Sequence, residues 1–291
     1  MKPRIVAELG TGPGVYRFRD ARGRVLYIGR AVNLRRRVGS YWGDLRDRRH
    51  LRRMVPQIDR IEAVTCDSEH EAAWLERNLL ERSLPRWNRT RGGQETPVYI
   101  TLGASGLAIA YERDDGSFGP YLGSARVRTA LSGLHRVLPL DYTNGRLTGT
   151  GRDLARIRGV VPGDRAGLIR TLSEVLAREP TARSAVHEEL TRRRDVAAAA
   201  LAFEHAARIQ DEIAAVEWVC APQRVTSDDT ASVTVVGWHE GVSVRFGFSG
   251  GRMSTWTQRA GAEPADISST PSHWVAFAQR NAQLAARLAA A

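Results

Sequence analysis

Apolar residues recur along this chain with two different periods. Residues 14–18 (Gly-Val-Tyr-Arg-Phe) and 25–28 (Val-Leu-Tyr-Ile) alternate in character around the turn-like run Arg19-Asp20-Ala21-Arg22-Gly23-Arg24, which predicts a β-hairpin. A pairing centred on that turn sets Tyr16 opposite Tyr27 on one face. The period then changes. Leu34, Val38 and Tyr41 follow i, i+4, i+7 spacing behind Asn33, a good N-cap, so Arg37 and Tyr41 stack four apart on a helix. A second helix opens at the capping-box pattern Ser68-Glu69-His70-Glu71 and stops before Pro85. Ala72, Leu75 and Leu79 mark its core side, and Glu76 lies in its middle.

Further along, residues 99–110, with Gly103 and Gly106, read as short strands and turns, and residues 126–137 as a helix. Residues 184–219 read as a helical hairpin. In its second arm Ala206, Ile209, Ile213 and Val216 repeat at spacings of three, four and three, with Phe203 one turn before them, an apolar seam suited to a partner helix. Residues 233–248 alternate around His239-Glu240-Gly241 as a hairpin, and an alanine-rich helix follows Pro271. The expected division is into segments 1–92, 93–183, 184–222 and 223–291.

The first ninety residues concentrate a particular chemistry: Tyr16, Tyr27, Arg37, Tyr41, Glu76 and Asn88. Hydrolysis of a phosphodiester needs an activated water, neutralised phosphoryl oxygens and a stabilised leaving oxygen. One divalent cation on one carboxylate can serve the last two. An arginine fork adds bidentate charge neutralisation, and a phenol can take a proton once neighbouring cations lower its pKa from about 10.

The wording Pro13-Gly14-Val15-Tyr16-Arg17-Phe18, then Tyr27-Ile28-Gly29-Arg30-Ala31-Val32-Asn33-Leu34-Arg35-Arg36-Arg37-Val38, then Glu71-Ala72-Ala73-Trp74-Leu75-Glu76-Arg77-Asn78-Leu79 through Pro85-Arg86-Trp87-Asn88 resembles the GIY-YIG nuclease family, in the branch found at the amino end of UvrC. The resemblance implies an α/β domain with a three-stranded antiparallel sheet and flanking helices. It implies that Glu76 holds a metal ion (Mg²⁺ or Mn²⁺) and that Arg37 stabilises the transition state. Tyr27 and Tyr16 would position or deprotonate the water, and Tyr41 and Asn88 would support the phosphate and the site architecture. Arg30 stands where that branch mostly carries lysine; it keeps the charge but deprotonates far less readily, which counts against a proton relay there.

Charge points to a nucleic-acid partner. The formal net charge is +11, and residues 1–100 hold 21 Lys and Arg against 12 Asp and Glu. Arg46, Arg48, Arg49, His50, Arg52 and Arg53 form the densest run, expected as a helix with a basic face; the candidate contacts to DNA are Arg35, Arg36, Arg49, Arg52 and Arg53. Lys2 is the only lysine, so arginine as such reflects composition as much as function. The chain of 291 residues, 42% hydrophobic, has room for two or three domains. It shows no long apolar run and no leader pattern, and its two cysteines, Cys66 and Cys220, make neither a disulfide framework nor a zinc site, so a reducing cytoplasm is expected.

The resemblance extends past residue 92. Phe118-Gly119-Pro120-Tyr121, Ser124-Ala125-Arg126 and Val137-Leu138-Pro139-Leu140 look like the linker of UvrC; where UvrC then carries cysteines associated with an iron-sulfur centre, Asp141-Tyr142-Thr143-Asn144-Gly145 stands, and no cluster is expected. The run from Leu201 to Ile213 resembles the UVR motif by which UvrC contacts UvrB, which makes Phe203, Ala206, Ile209 and Ile213 the candidate partner-binding residues. A small β/α tail follows, in place of the second nuclease and the helix-hairpin-helix module of UvrC, and the single nuclease domain is also similar to Cho. The expected function is a metal-dependent endonuclease nicking one strand of lesion-containing double-stranded DNA, 3′ to the lesion, in the UvrA-UvrB pathway. Two other readings stay open: a non-catalytic adaptor binding UvrB and DNA, and a GIY-YIG nuclease for branched or foreign DNA.

Overall fold

A computed structural model describes residues 2–43, 45, 50–92, 95–103, 106–143, 147–227 and 230–291. In chain order the elements are α1 (Lys2–Glu8), β1 (Gly14–Arg19), β2 (Val25–Ala31), α2 (Leu34–Gly39), β3 (Arg60–Thr65) and α3 (Glu69–Arg82). There follow β4 (Pro97–Gly103), β5 (Gly106–Ala110), β6 (Phe118–Leu122), α4 (Ser124–Val137), α5 (Gly149–Ile157), α6 (Arg165–Leu176), α7 (Pro180–Ala199) and α8 (Phe203–Val219). The last are β7 (Thr234–His239), β8 (Val242–Ser249), β9 (Arg252–Ala260) and α9 (Ser272–Ala290). Two compact units result, one formed by residues 1–94 together with 222–291, the other by residues 95–221.

In the first unit an antiparallel sheet runs in the order β2-β1-β3. The expected hairpin is present, but in a different register. Tyr16 pairs with Gly29, and Tyr27 with Phe18, because the pairing shifts between Phe18 and Arg19 before the chain turns. Both predicted caps hold their helices: Asn33 accepts the Arg36 N–H at 2.9 Å, and Ser68 accepts the Glu71 N–H at 2.9 Å. Around the tyrosine face lies a core of Leu9, Phe18, Leu34, Val38, Leu51, Met54 and Ile61, with Leu284 and Leu288 from α9.

The segment from Pro222 onward is integral to this unit. Its second sheet, β7-β8-β9, has one strand more than the expected hairpin. Arg17 and Glu62 face each other across β1 and β3 as a buried ion pair; the Arg17 guanidinium lies 3.9 Å from the centre of the Trp256 ring on β9 and donates to the Trp256 carbonyl at 2.6 Å. Burial, only partly offset by Glu62, draws the Arg17 pKa down to about 10. Asn78 on α3 donates to the Val225 carbonyl and the Thr226 hydroxyl, and Arg224 pairs with Asp67 at the start of that helix. Asn281 on α9 accepts the Thr65 N–H at 2.8 Å and donates to its carbonyl at 3.2 Å, closing the outer edge of β3. Segments 1–92 and 223–291, expected as separate, thus share one core.

The second unit joins the expected segments 93–183 and 184–222. Sheet β5-β4-β6 and helices α4 to α8 enclose a core of Val98, Ile100, Tyr121, Leu131, Leu134, Leu172, Leu176, Val186 and Leu190. The apolar seam of α8 lies inside that core: Ala206, Ile209 and Ile213 are buried, Ile209 to 1% exposure, where α8 packs on α4 and α7. This corrects their assignment as partner-binding residues. The spacing marked an apolar face correctly, but what covers it is α7 together with α4, the latter some eighty residues earlier in the chain. Glu212 sets that packing, receiving Arg136 at 2.5 and 2.8 Å and the Ser132 hydroxyl at 2.7 Å. Phe203 is the exception among the four. It is 65% exposed at the α7–α8 turn, beside Leu201 at 74% and Val196 at 59%.

Candidate active site

The sheet brings three phenols together because side chains two apart on a strand share a face. Tyr16 from β1 and Tyr27 from β2 have ring centres 6.2 Å apart, and Tyr41, in the short 3₁₀ turn after α2, sits 5.9 Å from the first and 6.1 Å from the second. The Tyr16 and Tyr41 hydroxyls are 2.7 Å apart. Gly29 makes this possible. A Cβ there would lie 2.5 Å from the Tyr16 hydroxyl and 2.7 Å from the Tyr27 ring, so only glycine lets the Tyr16 phenol cross β2. Gly14 has a similar origin, since a Cβ would strike the Val64 carbonyl and the Leu34 side chain.

Arg37 is half-buried beside this cluster, close enough for its charge to lower the Tyr16 pKa against burial, with its guanidinium 5.9 Å from the centre of the Tyr41 ring. Glu76 arrives from α3. Its Oε1 accepts the Arg30 backbone N–H at 3.1 Å and its Oε2 faces the Arg30 Nε at 3.4 Å. Asn88 binds both backbone groups of Ile28, accepting the N–H at 3.0 Å and donating to the carbonyl at 2.8 Å. Its amide therefore pins the outer edge of β2 between Tyr27 and Gly29. Of the two tasks expected for Asn88, that is the architectural one.

Electrostatics keep the phenols protonated. Burial pushes Tyr16, Tyr27 and Tyr41 all well above the ordinary tyrosine value. For Tyr16 the neighbouring Tyr27 adds to the rise, while Arg37 and the Tyr41 hydrogen bond oppose it. For Tyr27, Tyr41 and then the Glu76 charge act in the raising direction and Arg37 against it. A divalent cation near Glu76 would act on Tyr27 in the opposite sense.

Glu76 fits a small hard cation. Mg²⁺ takes oxygen ligands, keeps several waters and commonly uses only one or two carboxylates. Among the described residues no group of three or more His, Cys, Asp or Glu converges; Glu76, its side chain 21% exposed, offers a carboxylate close enough to Tyr27 for its charge to act on that phenol.

The amino-acid sequence places Gly29 in the motif after Tyr27, but its role, leaving room for the Tyr16 phenol, shows only in the structure. The sequence reading missed Asn281, whose partner lies 216 positions away. Among the candidate DNA contacts, Arg35 and Arg36 are exposed on α2, Arg35 also donating to the Leu9 carbonyl at 2.8 Å. Arg52 and Arg53 are exposed in a turn whose Leu51 and Met54 are buried, not on the expected helix. Arg46, Arg48 and Arg49 lie outside the described residues.

Comparison with known proteins bears on these residues directly. Residues 12–89 match the family described as the UvrC-like GIY-YIG domain. The chain is 30% identical over 251 residues to UvrABC system protein C of Syntrophotalea carbinolica, covering 80% of this chain and 41% of that protein. It is 30% identical over 289 residues to the same-named protein of Nitrobacter hamburgensis, covering 91% and 41%. The chain thus spans about two fifths of the length of these curated relatives. A solved structure, the GIY-YIG N-terminal endonuclease domain of UvrC from Thermotoga maritima bound to its catalytic magnesium, is 32% identical, is covered in full, takes in 31% of this chain and has a TM-score of 0.28. With the motif residues assembled as described and the whole of residues 12–89 matched, this part of the chain is a GIY-YIG nuclease domain of the UvrC-like branch.

Proposed function

We propose that this protein is a divalent-metal-dependent DNA endonuclease that nicks one strand of a lesion-containing duplex, on the 3′ side, once a UvrB-like damage-recognition protein is in place. The observation that carries the reading is the convergence of Tyr16, Tyr27, Tyr41, Arg37 and Glu76 on one corner of the sheet. Glu76 would hold Mg²⁺ or Mn²⁺, which when bound supplies charge neutralisation at the phosphodiester and its leaving oxygen. Arg37, already turned toward the phenols, offers its fork to the non-bridging oxygens. Tyr27 or Tyr16 would hold the attacking water and, in the phenolate form that a bound cation and the Arg37 charge would favour over burial, would receive its proton. Asn88 and Gly29 keep the two strands at the spacing the phenols need.

The exposed arginines of α2 and of the turn at residues 52–53 serve the duplex backbone, and Arg49 is proposed with them on sequence grounds. The partner contact is assigned to the turn of the α7–α8 hairpin, where Val196, Leu201 and Phe203 stand in water while the apolar seam of α8 is buried. Incision of a lesion-containing duplex with Mg²⁺, measured with and without UvrA and UvrB, tests the whole reading. DNA binding without nicking under both conditions would replace it with the adaptor reading.

A further inference from the structure

Arg30 and Glu76 meet at the point where a metal would enter. Both oxygens of the Glu76 carboxylate face one residue: Oε1 the Arg30 backbone N–H at 3.1 Å, and Oε2 the Arg30 Nε at 3.4 Å. The two contacts differ in kind. The backbone bond is fixed by β2 and orients the carboxylate. The side-chain contact is looser than the roughly 2.7–2.9 Å of a tight charge-assisted bond, and the Arg30 side chain is 38% exposed, so it has room to leave.

A guanidinium and a divalent cation compete at Oε2, because each draws on the same carboxylate charge and the two positive charges repel. A phosphodiester, in contrast, accepts two parallel N–H bonds from a guanidinium, a closer match than the 3.4 Å approach of Nε to Oε2. The position of Arg30 on β2, next to Gly29 and within reach of the carboxylate, puts that choice at the edge of the candidate site.

We infer that Arg30 competes with the metal for Glu76 and is drawn off by the substrate phosphate, so that DNA and metal bind cooperatively. This rests on Glu76 being the carboxylate that holds the metal. Without DNA, Arg30 substitutes for the cation and keeps metal occupancy low. With DNA the fork turns to the backbone and Oε2 opens. By reciprocity, the metal strengthens DNA binding by the same factor that DNA strengthens metal binding. The consequence is a nuclease that loads its cation on the strand it is about to cut.

The test is Mn²⁺ binding to the full chain, by calorimetry and by the electron paramagnetic resonance of free Mn²⁺. Wild type, Arg30→Ala, Arg30→Lys and Glu76→Ala are compared with and without a short duplex shown by gel to stay intact. Arg30→Ala should bind Mn²⁺ about tenfold more tightly than wild type without DNA, within the usual range of such couplings, and should gain little more when DNA is added. Wild type should gain the corresponding factor on adding DNA, and Arg30→Lys should fall between. Unchanged or weaker Mn²⁺ binding by Arg30→Ala, with Glu76→Ala having lost it, overturns the competition and leaves the metal site standing. Mn²⁺ binding that survives Glu76→Ala overturns the metal site and the inference together.

Discussion

The hydroxyl of Tyr16 lies 2.7 Å from that of Tyr41, both rings almost wholly buried, so the two phenols share one hydrogen bond in a place where neither readily ionises. Arg37 adjoins the pair, and its charge draws both phenols down against the burial that raises them.

This arrangement sets an alkaline limit on the fold. Burial holds the folded-state pKa of Tyr16, Tyr27 and Tyr41 above the unfolded value of about 10. A group shifted in that direction contributes stability that is complete below its unfolded pKa and is lost as pH rises toward the folded one. The urea midpoint should therefore begin to fall above about pH 10, and Tyr41→Phe should make the fall shallower. A midpoint that stays level across that range would mean the phenols ionise in place.

Glu76→Ala is expected to abolish nicking and leave DNA affinity nearly unchanged, since affinity rests on the arginines. Plasmid nicking and fluorescence anisotropy on the same preparation read the two separately. Nicking at the wild-type rate would remove Glu76 from the mechanism.

For Arg37→Ala the expected loss is in the rate with saturating DNA. Removing phosphoryl charge stabilisation of about 3–5 kcal/mol corresponds to roughly two to four decades in the single-turnover rate, with little change in affinity. The reverse pattern, a normal rate and collapsed affinity, would make Arg37 an anchor for the duplex.

The hairpin offers a paired test. Phe203→Asp, at the exposed turn, should leave the helical content and melting temperature near wild type while weakening association with UvrB. Ile209→Asp, in the core, should unfold the second unit, because a buried charge would have no partner there. Circular dichroism and a UvrB pull-down distinguish them; a well-folded Ile209→Asp protein would contradict the packing of α8 on α4.

Asn78→Ala should cost about 1–3 kcal/mol, measured by urea denaturation, by stranding the Val225 carbonyl that Asn78 now serves. A loss of a few tenths would show that residues 222–226 are only loosely held to α3.

Local signals were legible in the amino-acid sequence. Asn33 and Ser68 announced their helices, and Leu34, Val38 and Tyr41 declared a buried face because helical spacing needs no knowledge of a partner. Register was less legible. The shift at Phe18 and Arg19 moves Tyr16 opposite Gly29, and nothing in the alternation of residues 14–18 marks it. Strand β9 was missed because Arg252, Thr257, Arg259 and other polar residues surround Met253 and Trp256, the two that are buried. What covers a face was least legible of all, as the seam of α8 illustrates. Spacing within a helix reports which side is apolar, and the identity of its cover is a long-range fact.

One such long-range contact concerns time. Asn281 completes the hydrogen bonding of Thr65 at the edge of β3 from 216 residues further along the chain. At a synthesis rate of roughly 5–20 residues per second, the ribosome needs about 10–40 s to make the residues between them. For that interval β1, β2 and β3 can exist with their tyrosines and Arg37 already made, but without the helix that closes one side of the sheet. The finished candidate site thus depends on a helix translated long after its tyrosines, and a chain stalled before α9 would carry every residue of the candidate site on an open-edged sheet.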